Sequence, residues 1–173
     1  MSPYTAASLT TGIPTVSELA AFIYETLVFC CLTGFAAYDI RTRRVPNRAL
    51  VFFCPAVLAS LPVHMQGTGA SFQSALGFSL AGCAAGFLIL LSAALLSRGG
   101  AGVGGGDIKL AAATGFIYGP YRMLGILMIA TLLSACAVLI ILCRRKGRTR
   151  PLSLPFVPFI AAGCLFTLIV SII

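Results

Sequence analysis

The distribution of charge constrains this chain more than any other feature. Apolar runs follow one another with short connections between them, and connections rich in Arg and Lys alternate with connections that have almost none. A helix that crosses a bilayer takes about 20 mostly apolar residues. Six segments meet or approach that requirement, at about 18–38, 49–64, 72–96, 107–118, 121–142 and 155–173. The second is short and interrupted by Pro55 and Pro62, the third is rich in Gly and Ala, and the fourth is short. The expected fold is an all-α membrane protein, a bundle of six transmembrane helices with short loops, forming one domain over residues 1–173.

Composition excludes the main alternatives. Only 9% of the residues are charged and 59% are hydrophobic, whereas a soluble domain carries about 25% charged residues. So few charges cannot cover a globular surface. That argues against a cytosolic enzyme, a disordered segment and a secreted disulfide scaffold. The first span lacks a basic leader and so does not read as a cleaved signal peptide. The longest polar connection leaves no room for a soluble domain, and no internal repeat is evident.

The bases set the orientation. Arg41, Arg43, Arg44 and Arg48 lie between spans one and two, Arg98 and Lys109 between three and four, and Arg144, Arg145, Lys146, Arg148 and Arg150 between five and six. The other side carries Arg122 alone. Six spans with both termini outside the cytoplasm satisfy the positive-inside rule at every loop. Omitting the fourth span would place the 144–150 cluster outside. The net charge of +8 thus reports orientation and contact with anionic lipid headgroups; membrane lipid is an expected partner and nucleic acid is not.

Acids are scarce: Glu18, Glu25, Asp39 and Asp107. The topology drawn from bases alone places both aspartates at the cytoplasmic face, Asp39 at the end of the first span and Asp107 at the start of the fourth. Singly, each has a structural reading. Asp107 would favour the start of its helix by about 0.3–1 kcal/mol, and Asp39 would pair with the neighbouring arginines. Together they suit an aspartic dyad, because two carboxyl groups about 3 Å apart share one proton. One then acts as base toward water and the other as acid toward a scissile carbonyl. Such a site needs no metal or cofactor, and the sequence has one histidine and no HExxH motif. The glycines before Asp107, from Gly99 to Gly106, would admit an extended peptide beside the carboxylate, or form a flexible linker. The GxGxxG match within them follows a membrane span rather than a strand and is discounted as a dinucleotide site.

Three segments resemble a known family. Gly104-Gly105-Gly106-Asp107-Ile108-Lys109-Leu110 is similar to the GxGDxKL signature of type IV prepilin peptidases. Asp39-Ile40-Arg41-Thr42-Arg43-Arg44-Val45-Pro46-Asn47 resembles the family's other motif, an Asp followed by a basic stretch and Ile/Val-Pro-Asn/Asp. Leu154-Pro155-Phe156-Val157-Pro158-Phe159 resembles the Pro-Phe-x-Pro-Phe segment that opens its last span. The resemblance implies an aspartic endopeptidase of the bacterial or archaeal inner membrane that cleaves the basic leader of prepilins or pseudopilins on the cytoplasmic side. It maps Asp39 and Asp107 onto the catalytic pair and Gly104 and Gly106 onto the motif glycines. Lys109 maps onto the motif lysine, where it tunes the acid or contacts substrate, or simply snorkels from a helix end. Pro46 and Asn47 start and cap the second span.

The chain also departs from the larger members, which carry a cytoplasmic insertion with paired CxxC motifs linked to zinc and to methylation of the new pilin N-terminus. None of Cys30, Cys31, Cys54, Cys83, Cys136, Cys143 and Cys164 forms a CxxC. They read as small apolar packers, which counts against a zinc site and an N-methyltransferase activity. The compact form looks like the peptidases of tight-adherence pilus systems. His64 lies near the outer end of the second span, away from the chemistry. Tyr38 reads as an interfacial aromatic. Glu25, flanked by apolar residues in the outer half of the first span, reads as a hydrogen-bonded structural acid. Two other classes compete: a small transporter or proton pathway centred on Glu25, and a non-catalytic assembly component that would tolerate Asp→Asn changes.

Overall fold

Away from water, backbone N–H and C=O groups must bond within their own segment, and a helix does this locally. The computed structural model describes residues 16–42, 47–69, 71–96, 104–144 and 155–172, and every regular element among them is an α-helix. In order these are α1 (Val16–Thr42), α2 (Asn47–Thr68), α3 (Phe72–Leu96), α4 (Gly105–Arg144) and α5 (Val157–Ile172). The basic stretches at 43–44 and 145–150, Arg98, the glycines at 99, 100 and 102, and the side chains of Glu18 and Arg48 lie outside the described residues.

The two prolines of α2 do not interrupt it. The helix runs for 22 residues with Pro55 and Pro62 inside, longer than the broken 49–64 segment expected from sequence. Each proline removes one donor and frees a carbonyl, but a packed apolar environment tolerates this where neighbours supply other bonds. The Tyr24 hydroxyl of α1 donates to the carbonyl of Ala56 at 2.7 Å, which ties α1 to α2 but is not the Val51 carbonyl that Pro55 frees. A T-shaped pair, Phe35 on Phe53 with centroids 5.5 Å apart, holds the same two helices nearer the carboxy-terminal end of α1.

Helix α4 is two helices joined by a sharp reversal. Gly119 has φ 73° and ψ 174°, outside the helical region, and Pro120 follows it. A Cβ built on Gly86 would stand 2.4 Å from the carbonyl oxygen of Ala111 and 3.0 Å from the Cε of Met123. A continuous helix would hold residues 111 and 123 about 18 Å apart at 1.5 Å per residue, too far for one methionine side chain to bridge. The chain therefore turns back at Gly119, giving α4a (residues 105–118) and α4b (120–144). The break falls between the 107–118 and 121–142 segments read from the sequence. Only glycine suits position 119, because its φ is positive and a Cβ there would meet the Phe78 ring at 2.0 Å. His64 serves this turn: its Nε2 bonds the Ile117 carbonyl at 2.8 Å, one of the acceptors the reversal orphans. Since a carbonyl only accepts, the ring proton sits on Nε2.

Helices α3 and α4a press together backbone to backbone. A Cβ on Gly82 would come within 2.1 Å of the Gly115 carbonyl oxygen, and one on Gly115 within 2.2 Å of the Gly82 oxygen. Gly82 and Gly86 thus face Gly115 and Ala111 in antiparallel order, a small-xxx-small crossing on both helices.

The core draws on every helix, with Leu32, Phe53, Leu90, Leu110, Met123 and Ile160 buried. Many large apolar side chains point outward instead, among them Leu27, Leu58, Leu95, Leu132 and Ile140. Three helices, Leu19–Thr42, Phe72–Leu96 and Gly105–Ile141, are long and apolar enough to cross a membrane, the last counted without its reversal, and Leu50–Gln66 and Val157–Val170 are shorter apolar helices.

Candidate active site

Three helix ends converge around the two aspartates. On α1 the inward positions are Val28, Leu32, Ala36 and Asp39, all buried and spaced by three or four residues. Asp39 therefore continues the core-facing stripe of its helix. Its neighbours turn out, with Tyr38 48% and Ile40 59% exposed, while Asp39 itself is 4% exposed. The outward Tyr38 fits the interfacial aromatic expected from sequence. The amino end of α5, with the backbone N–H of Val157, lies beside the Asp39 carboxyl. Its Oδ2 is buried and has no hydrogen-bond partner among the described residues.

Asp107 stands in the first turn of α4a. The Gly104 carbonyl accepts the N–H of Asp107 at 2.9 Å and of Ile108 at 3.3 Å, so Gly104 is the N-cap. The Asp107 carboxyl accepts the Gly104 N–H in return. This resembles the carboxylate half of a capping box, the cap itself being a glycine without a side chain. Asp107 also feels the charge of Asp39. Asp39 on α1 and Asp107 on α4a thus lie near enough for the charge of one to act on the other. Helix amino ends favour negative charge.

The other sequence candidates fall around this pair. Gly104 caps the helix without a positive φ, and a Cβ there would stand at ordinary contact, 3.5 Å, from the Asp107 Oδ2. Gly106 is half-buried in the first turn, and Lys109 is exposed. Among the described residues no three of His, Cys, Asp and Glu gather where they could hold a metal ion.

A second polar cluster lies at the opposite end of the bundle. Glu25 is 14 residues before Asp39 on α1, about 21 Å along the axis. It forms an ion pair with Arg122 of α4b, both side chains largely buried. Glu25 is thus the structural acid expected, but its partner was not anticipated. The available signal was that each is a charge flanked by apolar residues, and that the two are of opposite sign. Glu25→Gln leaves Arg122 without that counter-charge and is expected to lower stability by about 3 kcal/mol, read as a lower unfolding temperature in detergent.

Comparison with known proteins follows the same residues. The profile of the Type IV leader peptidase family matches residues 26–143. A "Prepilin leader peptidase/N-methyltransferase" of Bacillus subtilis is 35% identical over 143 residues, covering 82% of this chain and 53% of that protein. A protein of the same description from Burkholderia pseudomallei is 34% identical over 158 residues, covering 90% of this chain and 47% of its own length. The chain therefore spans about half the length of these relatives. No solved structure matches it at comparable significance. With a family profile over most of its length and both aspartates inside the matched region, the chain belongs to the type IV leader peptidase family.

Proposed function

We propose that the chain is an aspartic endopeptidase that removes the basic leader of type IV prepilins or pseudopilins at the cytoplasmic face of the inner membrane. The observation that carries this reading is the buried Asp39 in electrostatic contact with Asp107 where three helix ends meet. One carboxylate takes a proton from a water, which attacks the scissile carbonyl. The other carboxyl group gives its proton to that carbonyl oxygen; the first then passes the proton taken from water to the leaving amine, and the second recovers a proton from the gem-diol hydroxyl as the C–N bond breaks. The roles exchange as the proton moves between them, and no covalent intermediate is required. The Gly104–Gly106 turn, without side chains, leaves space for an extended peptide to lie along Asp107.

In this reading the reversal at Gly119 makes α4a and α4b separate spans, giving six. The loops after α1, α3 and α4b then carry the bases and face the cytoplasm. Only the peptidase half of the relatives' description is carried over, since no CxxC pair occurs in this sequence. A transporter centred on Glu25 is disfavoured by the ion pair with Arg122, which neutralises that acid. The test is to reconstitute the purified protein in liposomes with a prepilin and follow leader removal by gel and by mass of the product. Cleavage that persists in Glu25→Gln, in proportion to the folded protein, supports the peptidase. Absence of any cleavage by the unmodified protein overturns it.

A further inference from the structure

We propose that the groove between α1 and α5 is a substrate subsite that holds an apolar stretch on the carboxy side of the scissile bond, while the basic leader stays at the membrane face. This rests on the reading of Asp39 and Asp107 as the reacting pair.

The groove is open to the outside of the bundle and has a volume of about 240 Å³. Phe29, Thr33 and Ala36 line it from α1, and Pro158, Ala162 and Leu165 line it from α5. On each helix these positions are three or four residues apart, so each set forms one face. The small side chains of Ala36 and Ala162 leave the depression between the helices, and small residues are what let another backbone come close in a membrane. The walls are apolar. Thr33 is the one lining residue with a polar side-chain atom, and its hydroxyl donates to the carbonyls of Cys30 at 2.8 Å and Phe29 at 2.9 Å. That hydroxyl is therefore satisfied on its own helix and asks nothing of an occupant.

Position and chemistry together select the occupant. Asp39 stands one turn beyond Ala36, and the amino end of α5, just before Pro158, lies beside its carboxyl. The groove therefore begins at the reacting pair and runs away from it between two antiparallel helices. Phe29 and Leu165 are each seven residues from the near end, about 10 Å of helix rise. A peptide with its scissile bond at the two aspartates thus has one side of that bond over the groove. The leader is basic, and no acid lines the walls to receive it; an unpaired charge at membrane depth is costly. The segment beyond the cut is then the one that enters. In lipid a backbone must bond within its own segment, so the occupant is about two turns of apolar helix, matched to the length of the walls. The groove sets a specificity for apolar side chains directly after the cut, and it admits the substrate sideways from the bilayer.

The test places the photo-reactive residue benzoylphenylalanine at position 162, in the Asp107→Asn form so that substrate is retained, and irradiates liposomes that also hold a prepilin. The same probe at position 132, an outward leucine of α4b, reports chance contact. Cross-links from position 162 are expected to exceed those from position 132 and to map by mass spectrometry to the first two turns after the cut. Cross-links confined to the leader, captured lipid alone, or a yield no higher than at position 132 overturn the proposal. Thr33→Leu and Ala162→Phe fill the groove from opposite walls. Each is expected to raise KM about tenfold with kcat near the parent value, a loss of uniform binding, while Leu132→Phe keeps the parent KM. An unchanged KM in both groove-filling variants also overturns it. Asp107→Asn separates the two claims. If that form cleaves normally, the reading of the reacting pair fails while the cross-link map still decides the groove; if it is inactive and position 162 captures only lipid, the groove alone fails.

Discussion

Replacing either aspartate by its amide, Asp107→Asn or Asp39→Asn, is expected to lower leader cleavage by at least about a thousandfold. An amide neither takes a proton from water at neutral pH nor passes one to a leaving amine, so each change removes one half of a proton exchange that needs both. Groups that act as a unit lose nearly everything when one is removed. The size of the effect is separable from folding because Asn has almost the shape of Asp. After Asp39→Asn the side chain retains an oxygen beside the Val157 N–H, and after Asp107→Asn one able to accept the Gly104 N–H. Unfolding temperatures of both variants should stay close to the parent. Asp→Glu at either site keeps the acid but moves it by about 1 Å, which is expected to cost on the order of a hundredfold.

A Cβ at the crossing of α3 and α4a is expected to damage the fold more than any other methyl-sized change. At Gly82 it would meet the Gly115 carbonyl oxygen at 2.1 Å and the Cα and carbonyl carbon of Gly119 at 2.7 Å; at Gly115 it would meet the Gly82 oxygen at 2.2 Å. All these atoms are backbone and cannot rotate aside. Gly115→Ala should therefore cost about 3 kcal/mol, the upper end for overpacking, and Gly115→Leu should leave little folded protein. At Gly86 the obstacle is the Ala111 carbonyl at 2.4 Å, one turn after Asp107, so Gly86→Ala should move the first turn of α4a and depress cleavage as well as stability. The contrast is with Gly77 and Gly125, helical positions where a Cβ meets nothing within 4 Å. Ala there is expected to be neutral or to stabilise by up to about 1 kcal/mol. Thermal unfolding of the alanine variants at these positions, in one detergent, checks the order.

Much of this arrangement is readable in the sequence, for physical reasons that differ by element. The alternation of basic and base-free connections divides the chain into its helical segments. It separates 107–118 from 121–142 where hydropathy alone merges them, because orientation depends on charge and not on apolar length. The two aspartates sit at helix ends that the same alternation puts on one side. The prolines of α2 misled, since a proline removes one donor and weakens a helix without necessarily ending it, and α2 runs through both. The Glu25–Arg122 pair joins residues 97 apart; both charges were evident, but not that the reversal at Gly119 brings α4b back beside α1.

Whether Asp39 and Asp107 work as one unit is tested most directly by a double-variant cycle on prepilin cleavage in liposomes, using Asp39→Asn, Asp107→Asn and the two combined. The expected result is that each single variant falls to the uncatalysed background and the combined variant falls no further. Processing above a tenth of the parent rate in either single variant would contradict the shared-proton pair, as would a combined loss equal to the product of two separate partial losses.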